Sequence, residues 1–361
     1  MNLLNRLGLF GGVAGVAAIG ALAGLNAVKT ATTRRGPEIY GDEDFTLMSR
    51  DRSRIVDTED GVPLLVREVG DDDAPLTVIF VHGYCLRMES WHFQRTQLAQ
   101  RWGETARLVF YDQRGHGGSG ASTPSGSTIA QLGRDLAAVV DAVAPSGPVV
   151  LVGHSMGGMT ILAAARQFPE LFEDRVIGVG LLSTTAAGLN KSGLGRNLNN
   201  PVIDAFRLAV RTAPGVVQQA RGAARAIISP ILRAASYGTE VSPRLVEFSD
   251  GMLNNVSVIT IVNFLETLEL HDESESLSVL ADTPALVLCG DADMIIPFPS
   301  SKALATALHR SELVRVRDAG HLVELEFPQV TSDAIDRLVR RAVSSRGGAA
   351  PVDERERTDA G

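Results

Sequence analysis

Only two cysteines, Cys85 and Cys289, occur in 361 residues. Two thiols can neither build a disulfide framework nor close a structural zinc site, and neither stands in a Cys-x-x-Cys pair. Acids are missing from residues 1–35, which carry Arg6, Lys29, Arg34 and Arg35. Those four cations, taken from a net charge of −8, leave −12 on everything that follows. Such a body repels a phosphate backbone, so charge disfavours nucleic acid as a partner. No internal repeat is visible, no Gly-rich phosphate loop follows the first strand-like run, and no ligand cluster has metal spacing. Neither a nucleotide nor a metal cofactor is therefore expected. What remains is 45% hydrophobic, enough for a sizeable core in one large domain or two small ones.

Residues 7–28 read LGLFGGVAGVAAIGALAGLNAV and hold no charge, against the roughly 20 apolar residues that a membrane span needs. A retained single-span anchor is expected. A cleaved signal peptide, with Ala21-Leu22-Ala23 as its small-residue site, would instead export the protein, and an interfacial helix is a third reading. The cations on either side of the segment lean towards a cytoplasmic catalytic body.

Polar residues 36–53 read as a linker. Two β-like runs between 54 and 69 flank Glu59-Asp60-Gly61, a hairpin signal. Apolar, β-branched runs then start near Thr77, Arg107, Pro148, Arg175, Pro284 and Glu312, of the kind buried parallel strands need. Helical patterns such as 129–143 and 159–168 lie between them, so a parallel sheet covered on both faces is expected. From about 187 to 275 the alternation stops and the pattern is helical throughout. An insertion there is expected to lie as a cap over the carboxyl edge of the sheet, where open α/β sheets bind ligands. The main domain is placed at 54–342, and the small, charged tail 343–361 is read as disordered.

Gly153-His154-Ser155-Met156-Gly157 follows a buried-strand pattern and precedes a helical one. In that context the turn is so tight that glycine is needed on both sides, and it thrusts the serine hydroxyl out of the sheet. A hydroxyl is a poor nucleophile until a base takes its proton and a third group orients the base. In this arrangement the chain order is serine, acid, histidine. Of the histidines after Ser155, His271 belongs to the cap and His309 to a helical run, which leaves His321, just beyond the last strand. Two carboxylates, Asp291 and Asp293, follow the strand that ends at Gly290. Spacing favours Asp293, with Asp291 as the alternative. Negative charge on a tetrahedral intermediate needs backbone donors. Met156, opening a helix, offers one N–H, and the loop His82-Gly83-Tyr84 offers a second at Tyr84. His82 reads as a brace for that loop and Cys85 as a small buried residue.

These residues resemble the α/β-hydrolase superfamily across about 54–342. The likeness rests on the GHSMGG elbow, VHGY at the oxyanion loop, the DQRGHGGS run from Asp112 to Ser119, the GDADMIIP acid turn and AGH followed by Glu326-Phe327-Pro328. It implies an eight-stranded, mostly parallel sheet and a Ser155-Asp293-His321 triad. The elbow is similar to those of esterases, lipases and cofactor-free perhydrolases. Asp112, Arg114 and His116 read as an ion-paired structural loop beneath the site. Relatives with an aspartate at the elbow are dehalogenases and epoxide hydrolases, chemistries that Ser155 excludes.

The expected activity is cleavage of a small-molecule carboxylic ester, with a lipophilic or medium-chain acyl group, through an acyl-enzyme. Thioester, lactone, amide or carbon–carbon hydrolysis, perhydrolysis and acyl transfer would use the same residues. A ligand-binding pseudo-hydrolase is the non-enzymatic alternative. In the cap, Arg207, Arg211, Arg221, Arg225 and Arg233 face one acid, Asp204, among apolar residues. They read as a solvated helix face or, with the N-terminal segment, as a contact for anionic lipid.

Overall fold

Apolar runs too short for helices form the strands of the computed structural model, which describes residues 36–189, 208, 212 and 235–347. In chain order they are β1 (Arg52–Asp57), β2 (Pro63–Val69), β3 (Thr77–Val81), β4 (Arg107–Tyr111), β5 (Val149–His154), β6 (Val176–Leu182), β7 (Ala285–Gly290) and β8 (Ser311–Val316). They make one sheet in the order β1-β2-β4-β3-β5-β6-β7-β8. β2 pairs antiparallel with β1 and with β4, and every other neighbouring pair is parallel. This is the eight-stranded, mostly parallel α/β arrangement that the family resemblance implied. The helices described are α1 (His92–Trp102), α2 (Ile129–Val143), α3 (Met156–Gln167), α4 (Pro169–Asp174), α5 (Pro243–Asn255), α6 (Val258–Glu269), α7 (Ser276–Leu280), α8 (Phe298–Ala307), α9 (Val323–Glu326) and α10 (Pro328–Ser345).

Every residue of β3, β4, β5, β6 and β7 is buried, which is why these strands read as continuous apolar runs. Successive side chains point to opposite faces. Ile79, Val81 and Leu151 therefore pack with Leu136, Val140, Ile161 and Leu162 of α2 and α3. Val78, Phe80 and Val152 pack with Leu98, Trp102, Ile335 and Leu338 of α1 and α10. Each such aliphatic side chain, fully buried, contributes about 1.5–3 kcal/mol. The edge strands differ. Residues of β1 such as Arg52 and Arg54 are exposed, and β8 is only partly covered, so charge blunts both rims against further strand pairing.

Between β6 and β7 the described residues hold α5, α6 and α7, with one isolated bridge between Ala187 and Asp272. Ser257 caps α6 by accepting from Thr260 N at 3.0 Å. Phe264 and Leu268 of that helix pack against Met156 and Met159 of α3, which sets α6 over the sheet's carboxyl edge. The segment 36–53, expected as a linker, is docked and ends inside β1. Gly36 N donates to Val241 O at 3.1 Å, Phe45 stacks on Phe248 with ring centroids 4.2 Å apart, and Met48 is buried. Its few apolar residues, spaced among acids, hold it against α5 and were not visible as a pattern.

The expectation of a membrane-associated, transmembrane protein with a single N-terminal span is corrected. Among the described residues no helix is long and apolar enough to cross a membrane. Residues 7–28, which prompted it, and the arginines at 207, 211, 221, 225 and 233 lie outside the described residues, so the expected lipid contact has no support. Residues 348–361 of the expected disordered tail also lie outside them, while α10 runs on to Ser345.

Arg114 is fully buried between two carboxylates. Its guanidinium donates to both oxygens of Asp135, at 2.6 and 2.7 Å, and to both of Asp60, at 2.8 Å each. The bidentate fork ties the β1–β2 turn to α2. Asp112 and His116, expected in the same ion-paired loop, are held by neutral donors instead. Asp112 accepts from Met88 N and Gly118 N, and His116 Nε2 accepts from Cys85 N. Arg114→Met would leave Asp135 buried without its cation, so a loss of about 3–5 kcal/mol is expected, read from the urea-unfolding midpoint. An unchanged midpoint would show the fork to be energetically idle.

Candidate active site

β5 passes into α3 through one residue. Ser155 adopts φ 53° and ψ −118°, a region that side-chain-bearing residues avoid at a cost of about 1–3 kcal/mol. The surroundings impose it. Ser155 N donates to Leu182 O at 2.9 Å, and its carbonyl accepts from Gly158 N at 2.9 Å and Thr184 Oγ1 at 2.8 Å. A Cβ on Gly153 would lie 2.5 Å from the Gly157 carbonyl, and one on Gly157 would lie 2.1 Å from Val81 O. Both glycines of the motif are thus required by close backbone approach rather than by flexibility.

The loops after β7 and β8 bring two more side chains to this turn. His321 Nε2 is 3.0 Å from Ser155 Oγ, and His321 Nδ1 is 2.9 Å from Asp293 Oδ2. Asp293 Oδ1 accepts from the N–H groups of Ile295 and Ile296 at 2.8 and 2.9 Å, so its second oxygen is aimed at the imidazole. All three side chains are buried. Asp291, the other carboxylate of that turn, faces away. It accepts from Asp318 N at 2.7 Å and pairs with Arg315 at 2.9 Å, and these donors hold its carboxyl below the usual range despite some burial.

Met156 is the first residue of α3, so its N–H has no acceptor within the helix and stands at the positive end of the helix dipole. Tyr84 lies on the loop after β3, and its hydroxyl donates to Ile261 O of α6 at 2.6 Å, tying that loop to α6. The loop is braced by two buried imidazoles. His82 Nε2 accepts from Gln113 N at 2.9 Å, which leaves Nδ1 to donate to Gly83 O at 2.7 Å. His116 likewise accepts at Nε2 and donates from Nδ1 to Arg114 O at 3.0 Å. Burial holds His82 down at about 3 and His116 at about 4, so both are neutral braces. Cys85, beside Tyr84, takes φ 59°, and burial pushes its thiol up to about 12, which makes it a poor nucleophile. His271 Nε2 donates to Thr185 O at 3.0 Å, and His309 sits exposed beside Asp282. Neither approaches Ser155.

Two buried groups behind the site escaped sequence reasoning. His154, within the elbow itself, has Nε2 2.9 Å from the His321 carbonyl and Nδ1 3.4 Å from Glu324 Oε1. An acid inside the apolar run LVELEF was the one available signal for Glu324. Its place against an elbow residue 170 positions earlier was not readable from spacing.

The chain matches the alpha/beta hydrolase family over residues 78–334. It is 28% identical over 244 residues to the RutD protein of Cronobacter sakazakii, provisionally named a carbamate hydrolase, covering 66% of this chain and 81% of that protein. The structure of a thermophilic esterase from Thermogutta terrifontis superposes with a TM-score of 0.61 at 25% identity, covering 81% of this chain and 99% of that one. The enol-lactonase of Burkholderia xenovorans LB400 superposes with a TM-score of 0.56 at 21% identity, covering 79% of this chain and 98% of that one. That last likeness speaks for the fold alone.

Proposed function

Because the chain belongs to the alpha/beta hydrolase family, and is a hydrolase, we propose that it cleaves carboxylic esters through an acyl-enzyme on Ser155. The observation that carries this reading is the relay Ser155–His321–Asp293, with contacts of 3.0 and 2.9 Å, set on a strained turn at the head of a helix. Ser155 Oγ attacks the ester carbonyl carbon while His321 Nε2 takes its proton. Asp293 holds the imidazole with Nδ1–H turned inward and stabilises the imidazolium that forms. The carbonyl oxygen gains negative charge and is held by the N–H groups of Met156 and Tyr84. The C–O bond to the alcohol then breaks as His321 returns the proton to the leaving oxygen. Water repeats the sequence on the acyl-enzyme and releases the carboxylic acid.

Apolar side chains crowd this end of the elbow. Met156, Met159, Phe264 and Ile296 form one cluster with Tyr84 packed against it. An acyl chain entering there would leave water for hydrocarbon, worth about 0.8 kcal/mol per methylene buried. Across p-nitrophenyl acetate, butyrate, hexanoate and octanoate, kcat/KM is therefore expected to rise by at least tenfold from the acetate to its best chain length. Absence of turnover on every member would refute ester cleavage, and a steady fall from acetate would refute an apolar acyl site.

A further inference from the structure

Two glutamates, two residues apart on α9, meet opposite treatment. The Glu326 carboxylate accepts from Gly238 N, Thr239 N, Thr239 Oγ1 and Gly320 N, at 2.6 to 3.0 Å. Glu324 is fully buried, and among the described residues neither of its oxygens has a well-formed hydrogen bond. Facing it at 3.4 Å is His154 Nδ1, also fully buried and also without a well-formed partner. The far nitrogen of that ring, Nε2, lies 2.9 Å from the His321 carbonyl. A carbonyl only accepts, so Nε2 carries hydrogen and, in the neutral ring, Nδ1 carries the lone pair. A lone pair facing a buried carboxyl is satisfied only if the carboxyl supplies the proton.

We propose that Glu324 is a carboxylic acid that donates to His154 Nδ1, and that this pair positions His321 through its main-chain carbonyl and keeps an uncharged ring behind it. Glu324 and His154 are positioning residues, and the inference rests on the catalytic role given to His321 above. The chemistry explains why an acid stands there rather than a carboxylate. The His154 and His321 rings are 4.8 Å apart between centroids. An ionised Glu324 would draw a proton onto His154 and set a cation beside His321, which must itself become positive when it takes the serine proton. Burial acts against both charges. It drives the Glu324 carboxyl well above its ordinary range, with the Asp293 charge adding to the effect, and holds His154 well below its own. The other titratable groups around the pair, His82, Asp293 and Tyr237, supply no cation. Space is equally tight, since a Cβ on Gly83 would lie 2.6 Å from His154 Nδ1.

The test uses the full chain with Glu324→Leu and Glu324→Gln. Leucine removes the donor, whereas the glutamine amide still donates and cannot ionise. Glu324→Leu is expected to lower kcat on a p-nitrophenyl ester at least tenfold with KM changed less than twofold. Glu324→Gln is expected to recover kcat to within threefold of the parent. Full kcat in the leucine variant, or a glutamine variant as impaired as it, would overturn the proposal. Nitrogen-15 spectra of the His154 imidazole give a readout that needs no turnover. A neutral ring protonated at Nε2 is expected both in the parent and in Ser155→Ala, and an imidazolium or an Nδ1–H ring would overturn the proposal. If the parent hydrolyses no ester, the catalytic reading fails by itself and these spectra still decide the state of the pair.

Discussion

Ser155→Ala is expected to lower kcat for ester hydrolysis by roughly 10⁴- to 10⁶-fold and to abolish labelling by a fluorophosphonate probe. The size follows from what the substitution removes. Ser155 Oγ is the atom within hydrogen-bond reach of His321 Nε2, at 3.0 Å, and without it His321 has no bound nucleophile to deprotonate. The backbone donors proposed at Met156 and Tyr84 would survive, so a small rate above that in water should persist. Alanine also keeps a Cβ at φ 53°, so the strained turn and the fold should be retained, which unchanged circular dichroism would establish. Probe labelling that persists at another serine would overturn the assignment.

The second large effect separates two carboxylates on one turn. Asp293→Asn is expected to cost about 10⁴-fold in kcat, because an amide NH₂ facing His321 Nδ1 favours the tautomer with its proton on Nε2, where the lone pair is needed. The Asp293 backbone contacts can survive, since the asparagine oxygen still accepts from Ile295 and Ile296. Asp291→Asn should leave kcat within about threefold of the parent, because Asp291 is engaged with Asp318 N and Arg315 on the far side of the loop. Steady-state kinetics of the two variants side by side decide the matter. Equal losses, or a loss under tenfold in Asp293→Asn, would contradict the role given to Asp293.

Much of this architecture is legible in the chain because it follows from short-range physics. Fully buried parallel strands must be apolar throughout, so β3 to β7 announce themselves. The elbow needs glycine at 153 and 157 because no Cβ fits against Gly157 or Val81 O, and those two residues flank the serine in any reading. The antiparallel rim was half legible. The Glu59-Asp60-Gly61 turn was visible, but Arg114 as the residue that clamps Asp60 against Asp135 was not, since that contact joins residues far apart in sequence. The segment 36–53 misled because its polar composition hid two anchors, Phe45 and Met48, whose partners on α5 and in the core come from distant parts of the chain. The apolar run 7–28 suggested a span, because hydropathy alone reports how a helix would partition and not which surface, if any, it meets.

By itself the amino-acid sequence determined the strand and helix alternation and the serine turn, because each depends on local periodicity or on sterics within a few residues; the order of serine, acid and histidine followed from the arrangement that such a turn belongs to. Spacing favoured Asp293 over Asp291, and in the structure Asp293 faces His321; tertiary structure alone decided where Arg114 finds its carboxylates, and that His154 and Glu324 meet behind His321. The reason is the same in each case. A buried polar group is constrained by whatever donor or acceptor the fold brings within about 3 Å, and that partner lies at a sequence separation over which spacing carries no information.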